Sequence, residues 1–175
     1  MTLREIVTVP NDVLRRKAHK VKNFDKELGI IIDDMIETVR DAPGVGLAAP
    51  QIGILQQIII VEFGDEDDPE APSKLYAVVN PEITYSSEEK LFGAEGCLSV
   101  PGIMGDVERS LSIAVRGQNR NGKKVKYKLD GWVARIFQHE IDHLDGILFS
   151  DKVTLAGKFS IKSNLKDLEE EYNKK

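Results

Sequence analysis

Cysteine, histidine and tryptophan are scarce in this chain of 175 residues, which has one cysteine, three histidines and one tryptophan. A single cysteine cannot form a disulfide within the chain, and this suits a reducing cytosol. No apolar run is long enough to span a membrane. The segment Met1–Glu5 lacks the apolar core of a signal peptide and the composition of a transit peptide. We therefore expect a cytoplasmic protein that does not span a membrane.

The overall charge is mildly acidic, with a formal net charge of −5. This balance argues against a direct nucleic-acid partner, because nucleic-acid-binding surfaces are basic. Hydrophobic residues make up 41% and charged residues 30% of the chain, which is ordinary for a globular protein. At this length we predict a single domain over residues 1–175, with about 163–175 as a charged tail or surface helix, and a monomer.

Two of the three histidines lie four residues apart in the run Gln138-His139-Glu140-Ile141-Asp142-His143. On an α-helix, positions i and i+4 share a face, so His139 and His143 can reach one metal ion. Glu140 projects about 100° away from His139. In this H-E-x-x-H motif the carboxylate acts on a metal-bound water rather than on the metal. The third histidine, His19, lies in a Lys/Arg-rich segment and is expected to be solvated.

The segment around this motif is predicted to form a buried helix. Asp130 can cap its start, and Gly146 can end it in the left-handed conformation. Its residues fall on two neighbouring stripes, which are Trp132, Ile136, His139 and His143, and Val133, Phe137, Ile141 and Leu144. A helix that is apolar over so much of its circumference is expected to be buried, with its histidines facing an interior cleft.

A catalytic metal site needs a third protein ligand. The longer metalloprotease pattern would place a histidine where this chain has Phe149. Downstream carboxylates, namely Asp151, Glu169 and Glu170, are one group of candidates, although acids in a charged tail are usually solvated.

The other candidate ligand is the single cysteine, Cys97, in the run Gly93–Gly102. This run reads as turn-rich, and glycine and polar neighbours between turn residues are not typical of a core cysteine. A metal would keep the thiolate ionised. Nearby, Glu95 either orients a neighbouring group or is a solvated loop carboxylate. The residues alone leave both ligand sets open.

A small, apolar, glycine-rich run covers residues 44–53 and contains one polar side chain, Gln51. It lacks the spacing and the Lys-Ser/Thr pair of a phosphate-binding loop. It is either a tight structural loop or a loop lining a substrate site, in which the Gln51 amide donates to developing negative charge.

The rest of the chain alternates between helical and strand-like patterns. In the helix at 24–41, we expect Asp33, Asp34 and Glu37 on the solvent face. Strands are predicted at 54–63, 75–79 and 83–91, a charged surface loop at 64–72, and a β-hairpin from 106–116 and 122–129.

Three segments together resemble the peptide deformylases: Gly44-Val45-Gly46-Leu47-Ala48-Ala49-Pro50-Gln51-Ile52-Gly53, Glu95-Gly96-Cys97-Leu98-Ser99 and Gln138-His139-Glu140-Ile141-Asp142-His143-Leu144. The resemblance implies an α+β fold with mixed or antiparallel strands around a central, buried, metal-binding helix. It also implies hydrolytic removal of the formyl group from formyl-methionine of new polypeptides, near the ribosome exit.

The resemblance further implies a role for each matching residue. Cys97, His139 and His143 would bind one metal, with a water in the fourth position. Glu140 would take the proton of that water and deliver it to the leaving amine.

The same resemblance assigns residues to the substrate. Gln51 and the backbone N–H of Leu98 would stabilise the oxyanion, and Gly46 would bond the substrate backbone. Four more residues would line or approach the methionine pocket, which are Val45, Glu95, Trp132 and Ile136.

The identity of the metal follows from the resemblance and not from the residues. The family natively uses Fe(II), with Zn(II), Ni(II) or Co(II) as substitutes, whereas two histidines and a thiolate by themselves favour zinc. Two other hypotheses use the same helix. One is a zinc endopeptidase with a downstream carboxylate ligand, and the other is a non-catalytic protein with a closed four-ligand site.

Overall fold

The structure is a computed structural model that describes residues 2–64 and 73–153. These residues form two α-helices and seven β-strands. The helices are α1 (Lys26–Asp41) and α2 (Gly131–Leu144). The strands are β1 (Gly46–Ala48), β2 (Ile58–Phe63), β3 (Lys74–Ser86), β4 (Lys90–Cys97), β5 (Val100–Ser110), β6 (Ser112–Gln118) and β7 (Lys124–Asp130). None of these helices is long and apolar enough to cross a membrane.

The strands form two sheets in which every neighbouring pair is antiparallel. The larger sheet has the order β1-β2-β3-β6-β7, and the smaller one pairs β4 with β5. Strand β3 continues through Asn80-Pro81, with a shift of register against β6 at that point, where the sequence predicted an end. The predicted α+β class is confirmed.

The larger sheet is covered by a helix on each face. Successive side chains of a strand point to opposite faces. Ile59 and Val61 of β2 therefore pack with α2, whereas Ile58 and Ile60 pack with α1. Because both faces are buried, β2 reads as a continuous apolar run. Phe137 of α2 is fully buried in this core, which fixes the helix against the sheet.

One residue of α1 was predicted wrongly. Asp34, expected on the solvent face, has only 2% of its surface exposed. The N-terminal segment crosses the helix here, and its backbone N–H at Thr2 and the guanidinium of Arg4 donate to the Asp34 carboxylate at 2.7–2.9 Å. The helical periodicity could not reveal a polar segment packed on the polar face.

The predicted hairpin of residues 106–116 and 122–129 is only half right. Strands β6 and β7 pair as expected, but residues 106–110 belong to β5 and pair with β4 in the other sheet. The chain changes sheet at Leu111, where the alternation of side chains continues without a break.

The run 93–102, read as turn-rich, is mostly strand, with a two-residue connection at Leu98-Ser99.

The ends of α2 agree with the sequence, with two corrections. Asp130 occupies the capping position, but its side chain makes no capping hydrogen bond. Gly146 has a φ of 73°, the left-handed conformation that was expected after the helix. Trp132, predicted on the buried stripe, is 47% exposed because it lies in the first turn, at the edge of a cleft. Most of the predicted loop at 64–72 and all of the predicted tail at 163–175 lie outside the described residues.

Candidate active site

The three proposed metal ligands come together at the contact between α2 and the end of β4. Helical spacing places His139 and His143 on one face, with ring centroids 5.0 Å apart. Cys97 ends β4, and its Sγ lies 3.3 Å from Nε2 of His143. The ligand atoms of these three residues all lie within 4.8 Å of one another, and no other group of His, Cys, Asp and Glu in the described residues is as close.

The alternative ligands are not at this site where the structure describes them. Asp151 accepts hydrogen bonds from Arg15 and from the backbone N–H of Leu148. Glu169 and Glu170 lie outside the described residues. The structure therefore favours the ligand set that contains Cys97.

The geometry and chemistry of these residues fit a metal ion. Metal–ligand bonds of roughly 2.0–2.3 Å at tetrahedral angles put neighbouring ligand atoms about 3.3–3.6 Å apart. The distance between Cys97 Sγ and His143 Nε2 is 3.3 Å, slightly shorter than the roughly 3.5 Å of a sulfur–nitrogen pair on one metal, and all the ligand atoms lie within 4.8 Å of one another. Burial lowers the pKa of His143 well below its usual value, which keeps that ring in the neutral form that metals bind. Burial by itself would also lower the pKa of His139, but its hydrogen bonds with Cys97 and Glu95 raise it to about 10, so a metal that binds there must displace a proton. A thiolate and two imidazoles leave one position open for water in a four-coordinate site.

Behind His139 lies a buried carboxylate, Glu95, that orients its ring. Glu95 Oε2 lies 2.9 Å from His139 Nδ1, so the other ring nitrogen is left to face the site. Arg109 donates to both oxygens of Glu95 at 2.8–2.9 Å, and Arg135 donates to Oε1 at 2.8 Å. Burial by itself would raise the pKa of Glu95, but the hydrogen bonds from Arg109 and His139 outweigh it and hold that pKa well below its usual value. These contacts therefore keep Glu95 ionised beside His139.

Glu140 is the second buried carboxylate, and it stands apart from this ion-pair network. Only 4% of its surface is exposed, and Oε2 has no hydrogen-bond partner within the described part of the chain. Burial raises the pKa of Glu140 to about 7. A carboxyl group with such a pKa can take up and release a proton near neutral pH, as a general acid–base group must.

The amide of Gln51 has a fixed orientation. Its carbonyl Oε1 accepts from the backbone N–H of Ala48 at 2.8 Å. Its Nε2 donates to Ser99 Oγ at 3.2 Å and lies 3.5 Å from Cys97 Sγ. The amide N–H₂ group therefore points toward the metal ligands. Leu98, the other expected oxyanion donor, lies in the two-residue connection between β4 and β5, next to Cys97.

A cavity of about 710 Å³ opens beside the ligands, large enough for a peptide end. Ten of the eleven site residues predicted from the sequence line this cavity, and His143 alone among them does not. The ten are Val45, Gly46, Gln51, Glu95, Cys97, Leu98, Trp132, Ile136, His139 and Glu140. Ile136 is buried in its wall, whereas Trp132 lies half exposed.

Two arginines of the site were missed by the sequence reasoning. Arg109 and Arg135 are each only 4% exposed. Arg135 carries a signal in hindsight, because it lies four residues before His139 and thus on the same helix face. Nothing in the sequence indicates Arg109, which is brought to Glu95 by the pairing of β5 with β4.

Comparisons with known proteins agree with one another. A family model described as polypeptide deformylase matches residues 3–158. The chain is 48% identical to a peptide deformylase of Symbiobacterium thermophilum over 154 aligned residues. The alignment covers 88% of this chain and 68% of that protein. It is 44% identical over 169 residues to peptide deformylase 1 of Bacillus subtilis, with 97% and 99% covered.

Solved structures of peptide deformylases have folds that closely resemble the fold of this chain. The peptide deformylase of Thermotoga maritima superposes with a TM-score of 0.82 at 41% identity, covering 88% of this chain and 99% of that one. A plant peptide deformylase superposes with a TM-score of 0.91 at 34% identity, covering 99% and 93%.

Proposed function

Because the chain belongs to the polypeptide deformylase family, we propose that Cys97, His139 and His143 hold its metal and that Glu140 moves the protons of its reaction. The enzyme is a metal-dependent hydrolase that removes the formyl group from the N-terminal formyl-methionine of new polypeptides and releases formate. The observation that carries the proposal is the meeting of one thiol and two imidazoles, with all ligand atoms within 4.8 Å, next to the buried Glu140.

A metal held by Cys97, His139 and His143 would lower the pKa of a bound water to give a nucleophile at neutral pH, and it would polarise the formyl group. Glu140 is suited to receive the proton of the attacking water, because its pKa is raised to about 7. The same carboxyl group then delivers a proton to the amine that leaves. Glu95, which is ionised and bonded to His139, keeps that ligand in one tautomer throughout.

We assign the stabilisation of the oxyanion to Gln51 and Leu98. The Gln51 amide is held by Ala48 with its N–H₂ group toward the ligands, so it is ready to donate to the formyl oxygen as negative charge develops. The backbone N–H of Leu98, next to Cys97, is the second donor. Donors fixed in this way need no reorganisation during the reaction.

We assign the methionine pocket to the apolar part of the cavity. Val45, Trp132 and Ile136 line it, and Gly46, at the edge of the larger sheet, is positioned to bond the substrate backbone. A formyl carbon carries only hydrogen, so a narrow space beside the ligands admits it and excludes larger acyl groups. Glu95, first assigned to this pocket, is better placed as the orienting partner of His139, because both of its oxygens are already bonded.

We propose Fe(II) as the physiological metal and Zn(II), Ni(II) or Co(II) as species that also bind. Iron rests on the family and not on the ligand chemistry, since a thiolate and two imidazoles by themselves favour zinc. Metal analysis of protein purified without oxygen, compared with its activity after loading with each ion, tests this assignment.

We further propose that the enzyme works as a single catalytic domain over residues 1–175 and as a monomer. Its substrate, a nascent chain with a formylated end, supports a cytoplasmic location near the ribosome exit. Sedimentation of the purified protein with and without ribosomes tests both the monomer and the ribosomal association.

The test of the ligand set is metal retention in single variants. We expect Cys97→Ala and His143→Ala to lose bound metal and formate release together. A zinc endopeptidase with a downstream carboxylate ligand would instead keep its metal after Cys97→Ala and would cleave internal peptide bonds.

A further inference from the structure

Arg135 is a buried cation in the first half of α2, one turn before His139. Its guanidinium donates to three backbone carbonyls and one carboxylate. Nη1 donates to Glu95 Oε1 and to the carbonyl of Val107, both at 2.8 Å, and to the carbonyl of Gly93 at 3.3 Å. Nη2 donates to the carbonyl of Leu91 at 2.5 Å. One helical side chain is therefore bonded to both strands of the smaller sheet.

The smaller sheet leaves a space that this guanidinium fills. A Cβ atom added to Gly93 would lie 3.0 Å from Cζ of Arg135 and 3.1–3.2 Å from two of its nitrogens. Such distances are tighter than ordinary van der Waals contact, so any side chain at position 93 would displace the guanidinium. The φ of Gly93 is not in the left-handed range, so close approach is what requires glycine here.

We propose that Arg135 is a positioning residue that sets the spacing between the helix carrying His139 and His143 and the strand carrying Cys97. The proposal rests on the function above, because it takes these three residues as the metal ligands. Arg135 lies four residues before His139 on α2, and its acceptor Gly93 lies four residues before Cys97 on β4. The guanidinium thus links the two elements close to where each supplies its ligands.

A second buried arginine, Arg109, also links the smaller sheet to α2, which supports the positioning role. Arg109 on β5 donates to Glu95 on β4 and to Asp142 on α2, at 2.5 Å to the latter. Two carboxylates, Glu95 and Asp142, are therefore paired with two buried guanidiniums, and Asp142 is also paired with the ammonium of Lys152. Buried ion pairs seldom stabilise a fold more than apolar residues of similar size would. A gain in stability is therefore a weak explanation for this network, and precise placement of the metal ligands is a better one.

The shape of the side chain matters as well as its charge. Arginine presents five donors in a rigid plane, which suits acceptors in several directions at once. Lysine would keep the positive charge beside Glu95, but it has no second terminal nitrogen to bond the carbonyl of Leu91, as Nη2 does. Arg135→Lys therefore separates a role in spacing from a role in keeping Glu95 ionised.

The experiment measures the release of Co(II) from the loaded protein to excess chelator, together with the visible spectrum of the Co(II)–thiolate site. The variants are Arg135→Met, Arg135→Lys, Gly93→Ala and the double variant Gly93→Ala/Arg135→Met. Arg116→Met, which removes a surface arginine paired with Glu82, is the control for arginine. Gly64→Ala is the control for glycine, since no atom of residues 2–64 and 73–153 lies within 4 Å of its added Cβ. Thermal unfolding of each protein is recorded alongside.

We expect Arg135→Met to release Co(II) about 10- to 100-fold faster than the unchanged protein, the usual cost of losing a group that supports a metal ligand. Arg135→Lys should also release it several-fold faster, with an altered spectrum. Gly93→Ala should act in the same direction, and it should add nothing in the Arg135→Met background, because its effect passes through the guanidinium. The two controls should match the unchanged protein.

Three results would overturn the role of Arg135. They are release at the unchanged rate in both Arg135→Met and Gly93→Ala, full rescue by lysine, or additive effects of the two substitutions. If Arg135→Met does not fold, Gly93→Ala and Arg135→Lys decide in the same way. Failure of the unchanged protein to bind Co(II) with a thiolate band would instead refute the ligand set of the proposed function.

Discussion

Gly46 lies in β1, the edge strand of the larger sheet. Replacing it with alanine tests how closely this strand approaches Glu140, the proposed general acid–base residue. A Cβ atom at position 46 would lie 2.8 Å from Cδ and 2.9 Å from Cγ of Glu140, and it would overlap the nearer carboxylate oxygen. Ordinary contacts between carbon atoms are about 3.5–4.0 Å. Strand β1 cannot easily move away, because it pairs with β2 and Leu47 and Ala48 are fully buried. The carboxylate of Glu140 must therefore move by roughly 1 Å, and such a displacement can cost about 10²-fold in rate.

The assay is the kinetics of formate release from a formyl-methionyl peptide, at equal metal content for each protein. We expect Gly46→Ala to lower kcat about 10²-fold, while Gly64→Ala, whose added Cβ meets no atom in the part of the chain that the structure describes, leaves it unchanged. An unchanged kcat in the metal-loaded Gly46→Ala protein would refute the close approach. A change confined to KM would mean that Gly46 acts through the substrate backbone alone and that Glu140 has not moved.

Three further predictions concern the oxyanion donor, the metal and the N-terminal segment. Gln51→Ala should lower kcat for formate release about 10²- to 10³-fold at unchanged metal content, and a normal kcat would remove Gln51 from the oxyanion site. Dialysis against a chelator should abolish formate release and anaerobic Fe(II) should restore it, whereas full activity in verified metal-free protein would contradict a metal-dependent reaction. The hydrogen bond from the backbone N–H of Thr2 lowers the pKa of Asp34, and the guanidinium of Arg4 lowers it further. Together they outweigh burial, which by itself would raise that pKa. The stability that Asp34 contributes is therefore fully present above the unfolded-state pKa of about 3.9 and is lost as the pH falls through the lower, folded-state value. Urea unfolding should show Asp34→Asn less stable than the unchanged protein at pH 7, with the difference shrinking in acid, and a difference independent of pH would contradict this ion pair.

The proposed metal ligands could be picked out from the sequence because their signals are local or unique. His139 and His143 share a helix face through their spacing alone, and Cys97 is the single cysteine in the chain. The residues alone nevertheless left the third ligand open between Cys97 and downstream carboxylates, since they could not say which segment folds next to α2. In the fold, the end of β4 brings Cys97 next to His143 of α2, which supports the proposed set.

The supporting charges were not predictable, because each depends on contacts between residues far apart in the chain. Arg109 meets Glu95 across a sheet, and Arg135 meets the carbonyl of Gly93 from a helix 42 positions away. Asp34 was placed on the solvent face because helical periodicity reports only the helix itself. Its partner Arg4, 30 residues earlier, lies across that face in the fold.

Helices were predicted more accurately than strands, because a helix repeats its pattern within one segment whereas a sheet depends on contacts between distant segments. The pattern at 24–41 gave α1 to within two residues of its start, since each turn repeats the apolar spacing. The alternation of side chains from residue 106 to 116 gave no sign of the change of sheet at Leu111. A chain that passes from one sheet to another keeps alternating its side chains between the two faces. Glycines at 93 and 96 made β4 resemble a turn, although Gly93 is there to admit the Arg135 guanidinium.

The measurement that tests the account most directly is formate release from a formyl-methionyl tripeptide by protein purified without oxygen and loaded with Fe(II), next to Glu140→Ala of verified metal content. The account predicts rapid release by the unchanged protein, with every peptide bond intact. It also predicts that Glu140→Ala loses the activity and keeps the metal. Absence of formate release from the folded, metal-loaded protein, or full activity in Glu140→Ala, would contradict it.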